Sequence, residues 1–226
     1  MRGMFSMDSP LMEFLTKIAD LIIINLLFLL VSIPIVTIGA GYSAMYSVTM
    51  KLVKNEEGVV TKQFFKAFKE NLKQSTVIWI PMMLIAVGLG YDYIVVNNGV
   101  SPENFRLVII IMAVIWGALF VNVFPLIAKF DNTLLNTIKN ALVIGFTHVV
   151  KMVFMALFIA VPWVITFKRI ELFPVFVMMG CSVPVFINSI WFNQIYDAMI
   201  ERYTGVNSSS ETDTELEDGN NEESDS

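Results

Sequence analysis

The amino-acid sequence predicts an all-α fold: a polytopic membrane bundle of about five transmembrane helices, with an amphipathic cytoplasmic helical hairpin and a disordered acidic C-terminal tail. Three observations support this prediction. The 226-residue chain is 56% hydrophobic and only 15% charged. Its apolar residues are gathered into long runs, which is typical of membrane proteins. Eight of its 20 acidic residues lie in residues 207–226, which contain no basic residue.

Five apolar runs are each long enough to cross about 30 Å of hydrocarbon, which takes about 20 helical residues. They are residues 21–39, 76–96, 107–128, 149–167 and 172–195. Together they predict an integral membrane domain over residues 1–206. For the first run a cleaved signal peptide is the alternative. We favour an uncleaved span, because the run exceeds the usual apolar core of about 7–15 residues and no basic cluster directly precedes it.

Between the first two runs, Thr61–Ser75 has the pattern of an amphipathic helix that begins after Gly58, with Thr61 as its cap. At about 100° per residue, its lysines fall within about 60° of one another. Its apolar residues form a second stripe about 120° away. The lysines are Lys62, Lys66, Lys69 and Lys73, and the apolar residues are Phe64, Phe65, Phe68 and Leu72.

Three roles fit such a helix. It could lie on anionic lipids of the inner leaflet, with phenylalanine in the acyl boundary and lysine at the headgroups. Its apolar face could instead pack on the cytoplasmic ends of the bundle, or its surface could dock a soluble partner. Nucleic-acid binding is disfavoured, because it needs a broader basic surface and the acidic tail is expected on the same side.

The preceding segment also has a helical pattern, so residues 42–73 are predicted to form a cytoplasmic hairpin with its turn at Lys54–Gly58. The lysines and arginines of alternate loops then divide ten to five, and the richer set should be cytoplasmic. This places the N-terminus outside, together with Lys17, and places Lys51–Lys73 and the C-terminus inside.

Polar groups inside apolar runs are candidates for function because they are costly to bury in a bilayer. Interhelical hydrogen bonding is the usual alternative for asparagine. After the third run, Asp131 or Thr133 is expected to cap a further short helix. The intramembrane candidates are Asp20, Asn25, Asp92, Asn122 and His148.

The sequence contains no signature of an enzyme or a cofactor site. It has one cysteine, Cys181, and one histidine, His148, whereas zinc sites built from these residues need several of them. No HExxH, P-loop or GxSxG motif occurs. We therefore expect a non-catalytic protein without a cofactor or bound metal. Transporter folds with two-fold symmetry contain an internal repeat, and we find none in this sequence. A homo-oligomer would restore the symmetry.

Two segments carry a resemblance to a known family. "NLLFLLVSIPIVTIGAGYSAMYSVTMKLVKNEEG" contains Asn25 and the turn Pro34, Thr37 and Gly39, and "FFKAFKENLKQ" follows it. Together they resemble the YesL-like integral membrane proteins, catalogued as domain of unknown function 624, over about residues 11–203. The family has no established activity.

Members of that family are commonly encoded beside bacterial carbohydrate importers of the ATP-binding-cassette type. The resemblance therefore implies an accessory of such an importer in the bacterial inner membrane, with the importer subunits as partners. An independent permease for a small solute and a structural membrane scaffold are the alternatives. Two roles are open for the acidic tail. It could be a disordered segment that only increases solubility, or it could compete with anionic lipid for the lysine stripe.

Overall fold

A computed structural model describes residues 10–56, 58–98 and 104–201, and this part of the chain is helical without any β-strand. Short 3-10 turns cover Ile35–Thr37 and Ile170–Leu172. The α-helices are α1 Pro10–Val31, α2 Ile38–Val53, α3 Val60–Asn97, α4 Asn104–Lys129, α5 Leu134–Thr147, α6 Val149–Lys168, α7 Phe173–Met179 and α8 Ser182–Glu201. The predicted all-α class is confirmed.

The described residues divide into two compact units, which separate between Ser189 and Ile190. Helix α8 begins in the first unit and ends in the second. Within the second unit, the rings of Phe192 and Tyr196 stack with their centroids 5.5 Å apart. The predicted acidic tail, residues 207–226, lies outside the described residues, as do Arg2 and Arg202.

Four helices, α1, α3, α4 and α6, are long and apolar enough to cross a membrane. The segments Ile170–Met179 and Ser182–Glu201 pass the same test together, although they are bent by 49° at the break between them. Four or five candidate spans fit the predicted polytopic bundle.

The distribution of polar and apolar side chains is that of a protein surrounded by lipid. Large apolar side chains point outward along α3 and α4, among them Leu84, Val87, Leu107 and Val114. Ser75 of α3 and Asn122 of α4 are instead completely buried. In hydrocarbon an apolar exterior carries no penalty, whereas polar groups need partners inside the protein.

The first apolar run differs from its predicted bounds. Helix α1 ends at Val31, eight residues before the predicted end at Gly39. Pro34 follows the helix end, and a residue before proline is disfavoured in helical conformation. The chain turns there and α2 begins at Ile38.

Helix α2 corrects the prediction of a hairpin on the cytoplasmic surface. Nearly all its side chains from Gly39 to Met50 are buried, and it packs against α1, α3 and α4. It is therefore a central helix of the bundle. Small residues allow this close packing, as is common between membrane helices. They are Gly39, Ala40, Gly41, Ser43 and Ala44.

Helix α3 corrects a second boundary. The amphipathic segment and the second apolar run form one continuous helix of 38 residues, about 57 Å long at 1.5 Å per residue. Its cap position is Val59 and makes no side-chain capping bond, so Thr61 is not the cap. Gly58 precedes it with a φ of 156°, a conformation that other residues rarely adopt.

Sequence and structure agree more closely for the helices that follow. Helices α4 and α6 match the predicted third and fourth runs to within a few residues. The short helix predicted after Asp131 is α5, and Thr133 occupies its cap position without a side-chain capping bond. Gln74 of α3 donates to the carbonyl of Asn132 at 2.9 Å, which ties the start of this segment to α3.

The placement of α1 corrects the predicted sidedness. Glu13, Lys17 and Asp20 of α1 line one cavity together with Leu52 and Asn55 from the end of α2. The N-terminal part of α1 therefore lies beside the end of α2 and the start of α3. The sequence had predicted that Lys17 lies across the membrane from Lys51–Lys73. The structure places them on the same side.

Because Lys17 lies on the same side as Lys51–Lys73, the two sides differ more in their number of basic residues than the sequence predicted. Among the 13 lysines and arginines of the described residues, ten lie towards the ends joined by the α2–α3 turn and by α5, and three lie at the opposite ends, so 10 + 3 = 13. The three are Arg106, Lys168 and Arg169. The basic residues of the described chain are thus concentrated on one side.

Candidate functional site: the lysine face and the broken helix

The lysines of α3 form one exposed surface. Lys62, Lys66, Lys69 and Lys73 are all exposed, and we call them the lysine face. Glu70 lies 4.0 Å from Lys66, a contact between two exposed side chains that has little energetic weight. The lysine face therefore offers a row of accessible positive charges.

The apolar residues of the same segment do not act as one surface. Phe64 is completely buried and Phe68 is half-buried, whereas Phe65 and Leu72 are exposed. The rings of Phe64 and Phe65 meet edge to face at 6.0 Å. Phe64 therefore holds the helix against the bundle, as the packing interpretation requires.

Other lysines lie on the same side of the bundle. Lys51 and Lys54, at the end of α2, line a cavity of about 70 Å³ together with Lys129 at the end of α4. Glu56 also lines this cavity and offsets part of the positive charge. The lysine face thus belongs to a wider cationic side built from three helices.

The turn Pro34–Gly39 docks onto α3 through specific contacts. Trp79 donates its Nε1 hydrogen to the carbonyl of Ile35 at 2.8 Å. The Thr37 hydroxyl lies within hydrogen-bonding distance of the carbonyls of Val31 and Pro34. The Val31 carbonyl is one of the groups that the end of α1 leaves without a helical partner, and the Pro34 and Ile35 carbonyls belong to the turn itself.

Gly39 is required by a close approach of α2 to α3. A Cβ atom at this position would lie 2.7 Å from Trp79 Cβ and 3.0 Å from the carbonyl oxygen of Ser75. One turn further along α2, the hydroxyls of Ser43 and Ser75 are 2.8 Å apart and fully buried. The contact between the two helices is therefore both tight and hydrogen-bonded.

Asn25 of α1 bridges the break between α7 and α8. Its Nδ2 donates to the carbonyl of Val177 at 2.6 Å and lies 3.3 Å from that of Phe176. Its Oδ1 accepts from the backbone N–H groups of Cys181 and Ser182, both at 2.9 Å. In an unbroken helix, Cys181 N–H would donate to Val177 directly. The side-chain amide replaces that bond.

Local sequence explains why the helix breaks at this place. Pro184 has no N–H to donate to the carbonyl of Gly180, and its ring crowds that carbonyl. Gly180 itself is packed against the ring of Phe176, where a Cβ atom would clash. The break leaves backbone groups in need of partners, and Asn25 supplies them from another helix.

The remaining polar candidates lie in separate surroundings. Asn122 is fully buried and donates to the Ala118 carbonyl at 2.8 Å and to the Met152 sulfur at 3.1 Å. Asp20 is half-buried in the cavity at the base of α1. Asp92 is exposed near the end of α3. His148 lies between α5 and α6, with Nδ1 3.0 Å from the Thr147 hydroxyl.

Two buried contacts between hydroxyls were not predicted from the sequence. Besides Ser43 and Ser75, Thr49 of α2 pairs with Ser189 of α8 at 2.7 Å. Serine and threonine are common in apolar runs, so neither residue stands out by itself. The high share of small residues in α2 was the available signal, since small residues mark close helix contacts.

An apolar cavity opens between α6 and the α7–α8 segment. It has a volume of about 480 Å³, and its lining includes Phe158, Pro162, Phe176 and Pro184, with Thr166 as a polar member. Such a lining suits hydrocarbon and offers few hydrogen bonds to a polar substrate.

Within residues 10–56, 58–98 and 104–201, no group of three His, Cys, Asp or Glu side chains is placed to hold a metal ion. Cys181 is a free, buried thiol. The described polar groups thus stabilise helix contacts, and the exposed chemistry is concentrated in the lysines.

Comparison with known proteins identifies one family. A search of curated proteins found no match, and a search of solved structures found none either. Residues 21–93 match the family model described as "Protein of unknown function, DUF624". The match includes Asn25, the turn Pro34–Gly39 and the lysine face, which are the features on which the predicted resemblance was based. Residues 21–93, which are 73 of the 226 residues, are therefore similar to the DUF624 family.

Proposed function

We propose that this protein is a non-catalytic accessory subunit in a bacterial inner membrane, and that it binds the membrane subunits of a carbohydrate importer of the ATP-binding-cassette type. The observation that supports this proposal is the lysine face, which is exposed on a helix continuous with a candidate membrane span. The choice of a carbohydrate importer rests on the family resemblance.

The length of the lysine face favours a protein partner over lipid alone. Lys62 and Lys73 are 11 residues apart, about 16 Å along the helix axis. The headgroup region on each side of a bilayer is only about 5–8 Å deep. Even at a helix tilt of about 40°, the two lysines differ in depth by about 13 Å. Lys73 can therefore meet headgroups, while Lys62 extends beyond them.

The face is also held in a fixed orientation, which favours binding. Phe64 and Ala67 are buried on the opposite side of α3. Gln74 fixes the helix to the segment before α5 through the carbonyl of Asn132. A surface that is already ordered loses less conformational entropy when a partner binds.

The matching partner surface is acidic. A row of accessible lysines attracts carboxylates on the cytoplasmic loops of a neighbouring subunit, chiefly by accelerating and orienting association. Such contacts are screened by salt, because the Debye length falls to about 8 Å at physiological ionic strength. We therefore expect the complex to weaken as the salt concentration rises.

The test is co-purification of the importer subunits with the double variant Lys62→Gln, Lys66→Gln. Loss of two exposed charge contacts should cost about 1–2 kcal/mol, or about 5- to 30-fold in affinity. The matched control is Lys168→Gln, Arg169→Gln, which removes two charges on the opposite side and should leave co-purification unchanged. Equal recovery with both double variants would refute the lysine face as the partner contact.

An independent permease is the second candidate, and the break between α7 and α8 favours it. Broken helices form substrate sites in many secondary transporters. Against it, the amide N–H groups at the break already donate to Asn25. Reconstitution of the purified protein in liposomes distinguishes the two functions: uptake of a sugar or an ion without any partner would establish the permease and exclude the accessory role.

A further inference from the structure

The α1–α2 hairpin raises the question of where its turn lies in the membrane. Helix α1 is long enough to cross. Helix α2 is not, since its 16 residues measure about 24 Å and Lys51 is already charged, whereas the hydrocarbon is about 30 Å thick. The N-terminal part of α1 and the C-terminal end of α2 both lie on the cationic side. The depth of the turn between them therefore decides whether the hairpin crosses the bilayer or returns within it.

The depth of the turn can be estimated along α3, because Trp79 of α3 donates a hydrogen bond to the Ile35 carbonyl in the turn. The nearest charged residues on α3 are Lys73, six residues to one side, and Asp92, thirteen residues to the other. At 1.5 Å per residue these are about 9 Å and about 20 Å from Trp79. Their sum of about 29 Å matches the thickness of the hydrocarbon.

Helix α4 gives an independent estimate. The ring of Phe124 lies 6.2 Å from that of Trp79 and touches the position of Gly39. Phe124 is five residues from Lys129 and 18 residues from Arg106, the nearest charges on α4. These separations are about 8 Å and about 27 Å. Both helices thus place the turn inside the apolar slab, nearer its cationic side.

The composition of the turn agrees with that depth. Its exposed side chains are apolar, with exposures of 74% for Ile33, 59% for Ile35 and 46% for Val36. A turn of this kind in water would expose apolar area without compensation, whereas in lipid it exposes nothing costly.

Several backbone groups of the turn have the internal partners that polar groups need in hydrocarbon. The carbonyl of Ile35 accepts from Trp79. Those of Val31 and Pro34 are reached by the Thr37 hydroxyl. The Thr37 N–H donates to the carbonyl of Pro34 at 2.9 Å. These groups are satisfied without water.

From these observations we infer that the α1–α2 hairpin is re-entrant: it enters the bilayer from the lysine-bearing side, turns within the hydrocarbon and presents Ile33, Ile35 and Val36 to lipid acyl chains. Its two ends then lie on one side of the membrane, and α3 makes the first complete crossing. The hairpin acts as an anchor that holds the cationic side against the inner leaflet.

The test measures depth with a nitroxide at each turn position in liposomes. Cys181 is the only cysteine, so Cys181→Ala provides the background for Ile33→Cys, Ile35→Cys and Val36→Cys in turn. Broadening by oxygen reports hydrocarbon, and broadening by a water-soluble nickel chelate reports water. The matched controls are Val87→Cys in the middle of α3 and Asn98→Cys at its end.

All three turn positions should behave like Val87→Cys, with access to the nickel chelate about tenfold or more below that of Asn98→Cys. Three exposed sites are used, so that one misfolded variant does not decide the result. Nickel access equal to that of Asn98→Cys would place the turn in water and overturn the inference. Low access to both reagents would show a protein partner in place of lipid, and would overturn it as well.

Discussion

At the scale of single residues, the side-chain amide of Asn25 makes hydrogen bonds to four backbone groups at the break between α7 and α8. It meets backbone groups on both sides of a helix break that lies more than 150 residues away in sequence. One side chain thus uses both its donor and its acceptor sides to close a gap in the hydrogen bonding of another helix. The sequence identified Asn25 as a costly polar group but did not identify its partner.

Asn25→Ala should destabilise the protein, because the carbonyl of Val177 and two N–H groups lose their partner in an environment without water. An unsatisfied buried group costs about 1–3 kcal/mol. At about 2 kcal/mol, the midpoint of thermal unfolding in detergent should fall by about 4–8 °C. Asn97→Ala is the control, since its bond from Arg106 is exposed. Equal midpoints for the two variants would contradict the bridging role.

Gly39→Ala should separate α2 from α3, because the added methyl group would lie 2.7 Å from Trp79 Cβ. Overpacking of this kind costs about 1–3 kcal/mol. The matched control is Gly88→Ala on α3, where a Cβ atom meets nothing within 4 Å. That variant should be neutral or slightly more stable, since alanine favours helix. Thermal unfolding of the two variants in the same detergent provides the comparison.

At the scale of elements, the central observation is that α3 joins the lysine-bearing segment to a candidate membrane span without a break. The residues Val60–Asn97 include Pro81, yet the helix continues through it. Proline is tolerated within membrane helices when neighbouring groups compensate. The lysine face is therefore attached to the membrane by a continuous helix and keeps its position relative to the span.

Glu70→Pro tests that continuity in the exposed part of α3. Proline removes a backbone hydrogen bond and clashes with the carbonyl of Lys66, which costs about 3 kcal/mol or more. Glu70→Ala should change stability by less than about 1 kcal/mol, because it removes only the exposed contact with Lys66. If both variants unfold at the same temperature by circular dichroism, the helix is not continuous through residue 70.

The elements could be predicted from the sequence to differing degrees. Runs such as Leu107–Ala128 contain no charged residue, so their ends are clear from composition. Helix α2 was harder, because it is buried on most of its surface and so lacks a single apolar face. The change from charged to apolar residues after Lys73 suggested a boundary, yet no glycine or proline breaks the chain there. The environment changes at that point while the helix continues.

The candidate sites divide in the same way. Exposure of the lysines follows from their charge and their spacing, so the lysine face could be predicted. The partners of Asn25, Gly39 and Ser43 depend on tertiary contacts between helices, which no local pattern encodes. The prediction that Lys17 lies on the side opposite Lys51–Lys73 was wrong, because α2, at 16 residues, is too short to be recognised as the return limb of a hairpin.

At the scale of the whole molecule, the described residues form a helical membrane protein with a strong charge asymmetry. Ten of the 13 basic residues in this described part lie on one side, and residues 21–93, which match the DUF624 family model, supply six of these ten. The six are Lys51, Lys54, Lys62, Lys66, Lys69 and Lys73. This concentration of charge orients the chain in the bilayer.

The most direct measurement of this arrangement is two-sided labelling of single cysteines by a membrane-impermeant maleimide in oriented membrane vesicles. The variants are Glu13→Cys, Lys54→Cys and Asn98→Cys, each in the Cys181→Ala background. The structure predicts that Glu13→Cys and Lys54→Cys react from the same side and that Asn98→Cys reacts only from the other. Labelling of Glu13→Cys from the side of Asn98→Cys would contradict the hairpin and the placement of all ten cationic residues on one side.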